Sequence, residues 1–331
     1  MNTEFGRGAA PIGRRRLLTI AGAVAGLSAI PHVHAQSAWR PSGPVKLVVT
    51  FPPGGATDIL TRMIAPGLSE HLRQPVVVEN RPGATGSIGS AHVYNAQPDG
   101  TTLLIGAPDA LSIYPNLSKT PYDASKFVPL AMLGTTAFIL LARPGLPANN
   151  LQEVIALARK QRLTIANAGI GGSGHLVSLA FCQAAGITDA THVSVGGMAP
   201  AMQGLMGDHY DLMFSVVAGS AQLRGKLKFV GVAAAERVGA VSEVLTFAEQ
   251  GLRMQNENWI GVLAPPSTPA NVVAELGKSI GDIVASSTYK AKAAELGFVA
   301  PAMTQVEFRQ YYEQDVRKWA EFIRSSNVKL N

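Results

Sequence analysis

A single cysteine, Cys182, excludes any disulfide within the chain and argues against a structural zinc site. It closes the stretch His175-Leu176-Val177-Ser178-Leu179-Ala180-Phe181-Cys182, an apolar helical pattern that marks a buried, inert thiol. Histidine is scarce too. Of seven, His32 and His34 fall in the first 35 residues, and the rest form neither H-x-x-x-H nor H-E-x-x-H. The hydrolase elbow G-x-S-x-G is missing, because His175 stands where the last glycine of Gly171-Gly172-Ser173-Gly174 would belong. Gly83, Gly86 and Gly89 recur at every third position, which is not the dinucleotide fingerprint, and no lysine follows a glycine run as in a P-loop. No enzyme chemistry, cofactor or metal is therefore expected. Only 15% of residues are charged, and no dense basic patch with interleaved aromatics is present, which argues against nucleic acid as a partner. Beyond the N-terminal segment, no run reaches the roughly 18 apolar residues of a membrane span.

The N-terminus reads as an export signal. Arg14-Arg15-Arg16-Leu17-Leu18 leads into a weakly apolar run to Ile30, and Val33-His34-Ala35 offers a small-x-small cleavage site. The paired arginines fit the twin-arginine route, with a general secretory signal as the alternative. About 14 residues rich in Ala and Gly are too short and too weakly apolar for an anchor. Cleavage after about Ala35 lowers the formal charge from +6 to +3, since Arg7, Arg14, Arg15, Arg16 and Glu4 leave with the signal. No cysteine follows the signal, so no lipid anchor of the usual bacterial kind is expected. A soluble, monomeric protein exported to a bacterial periplasm is the expectation.

An apolar fraction of 47% describes a packed globular chain, and its length suggests two domains. Strand and helix patterns alternate almost throughout, the signature of an α/β fold with mainly parallel strands. Strands are expected at Val45–Phe51, Val76–Glu79 and Thr102–Gly106, then a loop from Pro108 to Lys126. A second series starts with a strand at Ala137–Ala142 and runs to a strand at Trp259–Ala264, before a helical tail. Pro66 is expected to kink or divide the first helix near Ala65.

Val45–Arg62 carries the most information. An apolar strand ends in Phe51, breaks at Pro52-Pro53-Gly54-Gly55 and restarts as a helix near Thr57 or Asp58. Glycines let backbone amides approach a ligand, and a helix N-terminus offers unpaired N–H groups to an anion. An ordinary βα turn with Asp58 as its N-cap explains the same residues. Glycine-rich turns recur at Gly83–Gly89 and Gly169–Gly174, each between a strand and a helix. Ligands of open α/β sheets bind where such turns collect.

F-P-P-G-G-A-T-D, Q-P-V-V-V-E-N-R-P-G-A-T-G-S-I-G and P-D-G-T-T-L-L-I-G occur in that order. They are followed by Pro121-Tyr122-Asp123, Gly174-His175-Leu176, G-G-M-A-P-A-M from Gly197, D-L-M-F from Asp211 and a closing W-x-x-F-I-R-S-S-N-V-K-L. This series resembles the tripartite tricarboxylate transporter substrate-binding family, the Bug-type periplasmic receptors, over essentially the whole mature chain. The resemblance implies a type II periplasmic-binding-protein fold: two α/β lobes joined by two crossing strands, with a solute in the cleft between. The lobes are expected at 36–138 plus 257–331 and at 139–256. It also implies a small carboxylate ligand, delivery to a tripartite-type membrane permease, and capture by lobe closure. First-lobe contacts would be Phe51, Pro53, Gly54, Gly55 and Asp58, with Ala84, Ala107 and Asp109 nearby. Second-lobe contacts would be Gly172, Ser173, Gly174 and His175, plus Gly197, Met198 and Ala199. Asp58 would repel an anion, so capping or a water-mediated contact is its expected role. His175 is expected to be a neutral donor or a structural residue.

Three departures concern specificity. Family members commonly read S-x-S-H-L where this chain has Gly172-Ser173-Gly174-His175-Leu176, and H-V-P-Y-K-G-G where it has His192-Val193-Ser194-Val195-Gly196-Gly197-Met198. After D-L-M-F they often carry Asp or Asn, and this chain has Ser215. The second-lobe wall is expected to be more apolar, favouring a monocarboxylate with an apolar or aromatic body over a tricarboxylate. An exported α/β enzyme and a receptor serving a sensor are the competing readings.

Overall fold

The computed structural model describes residues 39–326, and the expected export signal lies outside them. Along the chain, β1 (Val45–Val49) leads into α1 (Ala56–Leu72), β2 (Val76–Asn80), α2 (Ser87–Tyr94) and β3 (Thr102–Gly106). The long β4 (Val128–Ala142) follows. Then come α3 (Leu151–Ala158), β5 (Leu163–Asn167), α4 (Ser173–Ala185), β6 (Ala190–Ser194), α5 (Met198–Met206), β7 (Leu212–Val216) and β8 (Lys228–Val232). β9 (Glu257–Ala264), α6 (Ala270–Ala285), α7 (Ser287–Glu295) and α8 (Gln305–Ser326) complete the described chain.

The strands form one mixed sheet in the order β2-β1-β3-β9-β4-β7-β5-β6, with β8 also pairing β4. Near-continuous apolar runs such as Val45–Val49 and Thr102–Gly106 suit strands covered on both faces, and these strands do run parallel. Leu60, Ile64, Leu68 and Leu72 recur every four residues on α1 and are fully buried against the first half of the sheet. That stripe carries α1 undivided through Pro66, where the sequence predicts a kink or a division. One missing hydrogen bond is outweighed by four packed side chains.

β4 organises the fold. Val128–Ala137 pairs antiparallel with β9 in the first half, while Phe138–Ala142 pairs with β7 and β8 in the second. The strand begins nine residues earlier than expected from sequence. Pro129 and Gly134 interrupt the strand pattern there, but register shifts between Pro129 and Ala131 and between Met132 and Gly134 absorb them. The chain leaves the first half in β4 and returns in β9. At that crossing Phe138 N–H donates to the Asn256 carbonyl, Asn256 N–H to Ala233, and Ala233 N–H back to Phe138. This is the type II periplasmic-binding-protein architecture: two α/β lobes, two crossing strands and a cleft.

Helix α8 spans both cores. Phe308 and Tyr312 pack edge-on against Trp259 in the first half, and the Trp259 indole N–H donates to Asp315 at 2.8 Å. Two turns later Trp319 and Ile323 join the cluster built on Phe138, Leu140 and Phe181. The segment expected as a loop from Pro108 to Lys126 contains a π-turn at Asp109–Ile113 and a single α-turn at Tyr114–Leu117. Buried Ala110, Leu111, Ser112 and Ile113 pin it to the body. Cys182 is buried, and burial pushes its thiol up to about 11, as an inert residue requires.

Candidate functional site

Strand direction decides which loops meet. β3 and β4 each run antiparallel to β9, so β1, β3 and the start of β4 point the same way. β7 is antiparallel to β4 and parallel to β5, which is parallel to β6. The carboxyl ends of β1 and β3 therefore face those of β5, β6 and β7 across the cleft, and the glycine-rich turns sit at these ends.

In the first half, Gly55 is the N-cap residue of α1, and Gly54 stands at φ +80°, a conformation that glycine adopts without strain. Asp58 is not the N-cap. It lies in the first turn and reaches back, so that Gly54 N–H donates to its Oδ2 at 3.0 Å. Arg62 grips the same carboxylate with Nε and an Nη at 2.9 and 3.0 Å, and Asn80 Nδ2 donates to it at 2.9 Å. Asn80 also donates to the Phe51 carbonyl, which ties β2 to the turn. The Arg62 hydrogen bond holds the buried Asp58 carboxyl down at about 2 against the cost of burial. Asp58 is thus satisfied inside the protein. The Gly54 amide is occupied, while those of Gly55, Ala56 and Thr57 have no partner among the described residues.

The second turn of the first half is strained. Gly83, Ala84, Thr85 and Gly86 all have positive φ, which is unusual for alanine and threonine. The turn leads into α2 and leaves Ile88, in the first turn of that helix, half exposed. After β3, Ala107 is buried and Asp109 starts the π-turn.

In the second half, Gly172 is the N-cap residue of α4 and Gly197 that of α5. The amides of Gly174, His175, Met198 and Ala199 have no partner among the described residues. Gly171 N–H donates to His175 Nδ1 at 3.1 Å, so this nitrogen is an acceptor and the ring carries its proton on Nε2. His192 stands edge-on to it at 5.5 Å and meets the Ser178 hydroxyl at 3.0 Å. Burial, then His192, pushes His175 down to about 4, and burial lowers His192 as well. Both rings are neutral at ordinary pH. Ser215 is buried, its hydroxyl accepting from Ser220 and facing the Met198 sulfur at 3.9 Å.

A hydrogen bond crosses the cleft. Ser173 N–H, the first amide of α4, donates to Asp109 Oδ1 at 2.9 Å. Asp109 is half-buried and has no cation within salt-bridge distance among the described residues. Burial raises its carboxyl above the usual range, with the Ser173 hydrogen bond opposing.

The site residues expected from sequence thus gather on loops that face one cleft: Phe51 to Asp58, Ala84, Ala107 and Asp109 on one side, Gly172 to His175 and Gly197 to Ala199 on the other. Sequence reasoning missed Arg62, Asn80, Ile88, Ile170 and Asn167. Asn80 lay in plain view in the E-N-R-P motif. Asn167 ends β5 just before the Gly169–Gly174 turn, and its buried Oδ1 has no partner among the described residues. Ile88 and Met198, at the starts of α2 and α5, and Ile170, in the turn before α4, are half exposed and add apolar surface to these loops. A groove of about 430 Å³ lined by Lys126, Phe127, Pro129, Arg309 and Arg317 lies at the start of β4, away from these turns.

Residues 60–328 match the family described as the tripartite tricarboxylate transporter family receptor. A UPF0065 protein from the tcbD-tcbE intergenic region of Pseudomonas sp. strain P51 is 31% identical over 336 residues, covering 97% of each chain. Among solved structures, the periplasmic binding protein BugD superposes with a TM-score of 0.76 at 32% identity, over 87% of this chain and 99% of that one. MatC of Rhodopseudomonas palustris with bound malate does so with a TM-score of 0.75 at 30% identity, over 86% and 99%.

Proposed function

Because the chain belongs to the tripartite tricarboxylate transporter receptor family, we propose that it captures a small carboxylate in the periplasm by lobe closure and presents it to a tripartite-type membrane permease. It does so as a monomer, with residues 36–138 and 257–331 forming one lobe and 139–256 the other. The observation that carries this reading is the convergence of unpartnered helix-start amides on one cleft. Gly55, Ala56 and Thr57 supply them from one side, and Gly174, His175, Met198 and Ala199 from the other. Such amides hold a carboxylate without a cationic side chain. A ligand shifts the open–closed balance only as far as it contacts both sides when closed.

The ligand class follows from what surrounds the amides. A similar receptor carries malate, a dicarboxylate. Here the second-lobe wall has neutral His175 and His192, buried Ser215 and exposed Ile170 and Met198, and these residues bring no cation to meet a further negative charge. A monocarboxylate with an apolar or aromatic body is the ligand this wall favours. A thermal-shift screen of the purified mature protein against a carboxylate library tests the reading, since binding to the folded state raises apparent stability. Monocarboxylates should give the largest shifts. Citrate bound far more tightly than aliphatic or aromatic monocarboxylates in calorimetry would refute the ligand class, and no shift with any carboxylate would refute the function.

A further inference from the structure

We propose that Asp109 is an internal stand-in for a ligand carboxylate: it occupies the first amide of α4, holds the cleft closed without ligand, and bars a second ligand carboxylate from that position. The inference rests on the carboxylate-receptor reading above and adds to it a residue that sets specificity.

The contact joins the two sides of the cleft. Asp109 follows β3, Ser173 opens α4, and 64 positions of chain separate them. A helix start is a good place for an anion, and here a side chain of the protein already fills it. A Cβ on Gly172 would lie 3.7 Å from Asp109 Oδ1, so a larger side chain at this position would crowd the carboxylate. The π-turn that carries Asp109 is held by buried Ala110, Leu111 and Ile113, which fixes the backbone from which the carboxylate reaches Ser173. Asp58 is matched by Arg62, whereas Asp109 faces no cation among the described residues and meets Ser173 instead. A dianionic ligand would bring its second charge against this one in a setting that screens poorly. A ligand with one carboxylate can place it on the open amides of Gly55, Ala56 and Thr57 and turn a neutral or hydrogen-donating end towards Asp109.

Two variants of the mature protein separate the parts of this proposal. Asp109→Asn keeps size and an acceptor oxygen but removes the charge, and Asp109→Ala removes the contact. Calorimetry with hexanoate and adipate, equal in length and differing by one carboxylate, reads the charge effect. Wild-type protein should favour hexanoate by about tenfold or more, and Asp109→Asn should bring the two within about threefold through a gain in adipate binding. Small-angle scattering without ligand reads the closure, and Asp109→Ala should show a larger radius of gyration than wild type. A folded Asp109→Asn protein with an unchanged hexanoate-to-adipate ratio would overturn the proposal while leaving the carboxylate function intact. If neither wild type nor variant binds any carboxylate, the functional reading fails instead. The scattering comparison then decides the Asp109 contact alone, and an unchanged radius of gyration refutes it.

Discussion

The turn after β1 and the turn after β5 both place a glycine N-cap and a helix start at the cleft, yet they are wired in opposite ways. The first is completed locally. Asp58 reaches back four residues to Gly54, and Arg62 and Asn80 fix it from the same half. The second takes its carboxylate from across the cleft, through Asp109 and Ser173. The two aspartates show the difference in their chemistry. Arg62 holds Asp58 at about 2, whereas burial without a cation raises Asp109. A locally completed cradle keeps its shape whether the lobes are open or closed. A cradle completed from the other half exists only when they are closed. Under the proposed function, the first is suited to initial capture and the second to registering closure.

Blocking the preformed cradle should produce the largest effect. A Cβ on Gly55 would meet nothing closer than the Pro52 carbonyl at 3.5 Å, so the fold has room for a side chain there. Gly55→Leu should lower carboxylate affinity by about 100-fold, equivalent to about 2.7 kcal/mol, with a melting temperature within a few degrees of wild type. Calorimetry beside a thermal melt checks both, and wild-type affinity would show that these amides do not hold the ligand.

Dismantling the local wiring should come next. Asp58→Asn removes the carboxylate that the half-exposed Arg62 grips and weakens the bonds to Gly54 and Asn80, and solvent around Arg62 limits the cost to roughly 1–2 kcal/mol. At roughly 2–4 °C per kcal/mol for a protein of this size, the melting temperature should fall by about 2–8 °C. Its pH dependence is separable. The folded carboxyl is depressed, so its stabilisation is present above the ordinary value of 3.8 and is lost as pH falls through about 2. The variant should lack that acid limb.

These contrasts also show what the sequence could and could not disclose. The α/β alternation, the three glycine turns and the strands at Val45–Val49 and Thr102–Gly106 were legible because apolar runs and turn residues alternate cleanly. The first nine residues of β4 were not, because Pro129 and Gly134 resemble strand breakers until bulges accommodate them. At the site, residue types and loop positions were readable, whereas hydrogen-bond partners were not. Asp58 looked like an N-cap, since nothing in its neighbourhood announces that Asn80, 22 positions on, completes its shell. Asp109 and Ser173 are linked only by topology, through strands that point at each other from the two halves.

A smaller effect belongs to the histidine pair of the second half. His175 is pushed from its ordinary 6.5 to about 4, so the unfolded chain binds a proton that the folded one rejects. Stability from this residue is complete above about 6.5 and is lost as pH falls towards 4, a window above that of Asp58. His175→Gln should flatten the decline of melting temperature between these pH values. A decline as steep as wild type would assign it to other groups.

The smallest expected effect tests the apolar surface that both halves share. Ile88 and Ile170 stand half exposed beside the amides of the two sides, where exposure of a large aliphatic side chain brings no gain to the free protein. If a ligand's apolar body covers them, each loses part of its contact with water on binding, and shortening either removes that gain. Ile88→Ser and Ile170→Ser should each weaken hexanoate binding about three- to fivefold, in line with burial of roughly a methylene's worth of surface. Acetate binding should be unchanged, because its body is too short to reach either residue. Stability should stay within about 0.5 kcal/mol, as for other exposed positions. Equal losses for acetate and hexanoate would mean that the substitutions disturb the amides themselves and that the apolar wall takes no part in choosing the ligand.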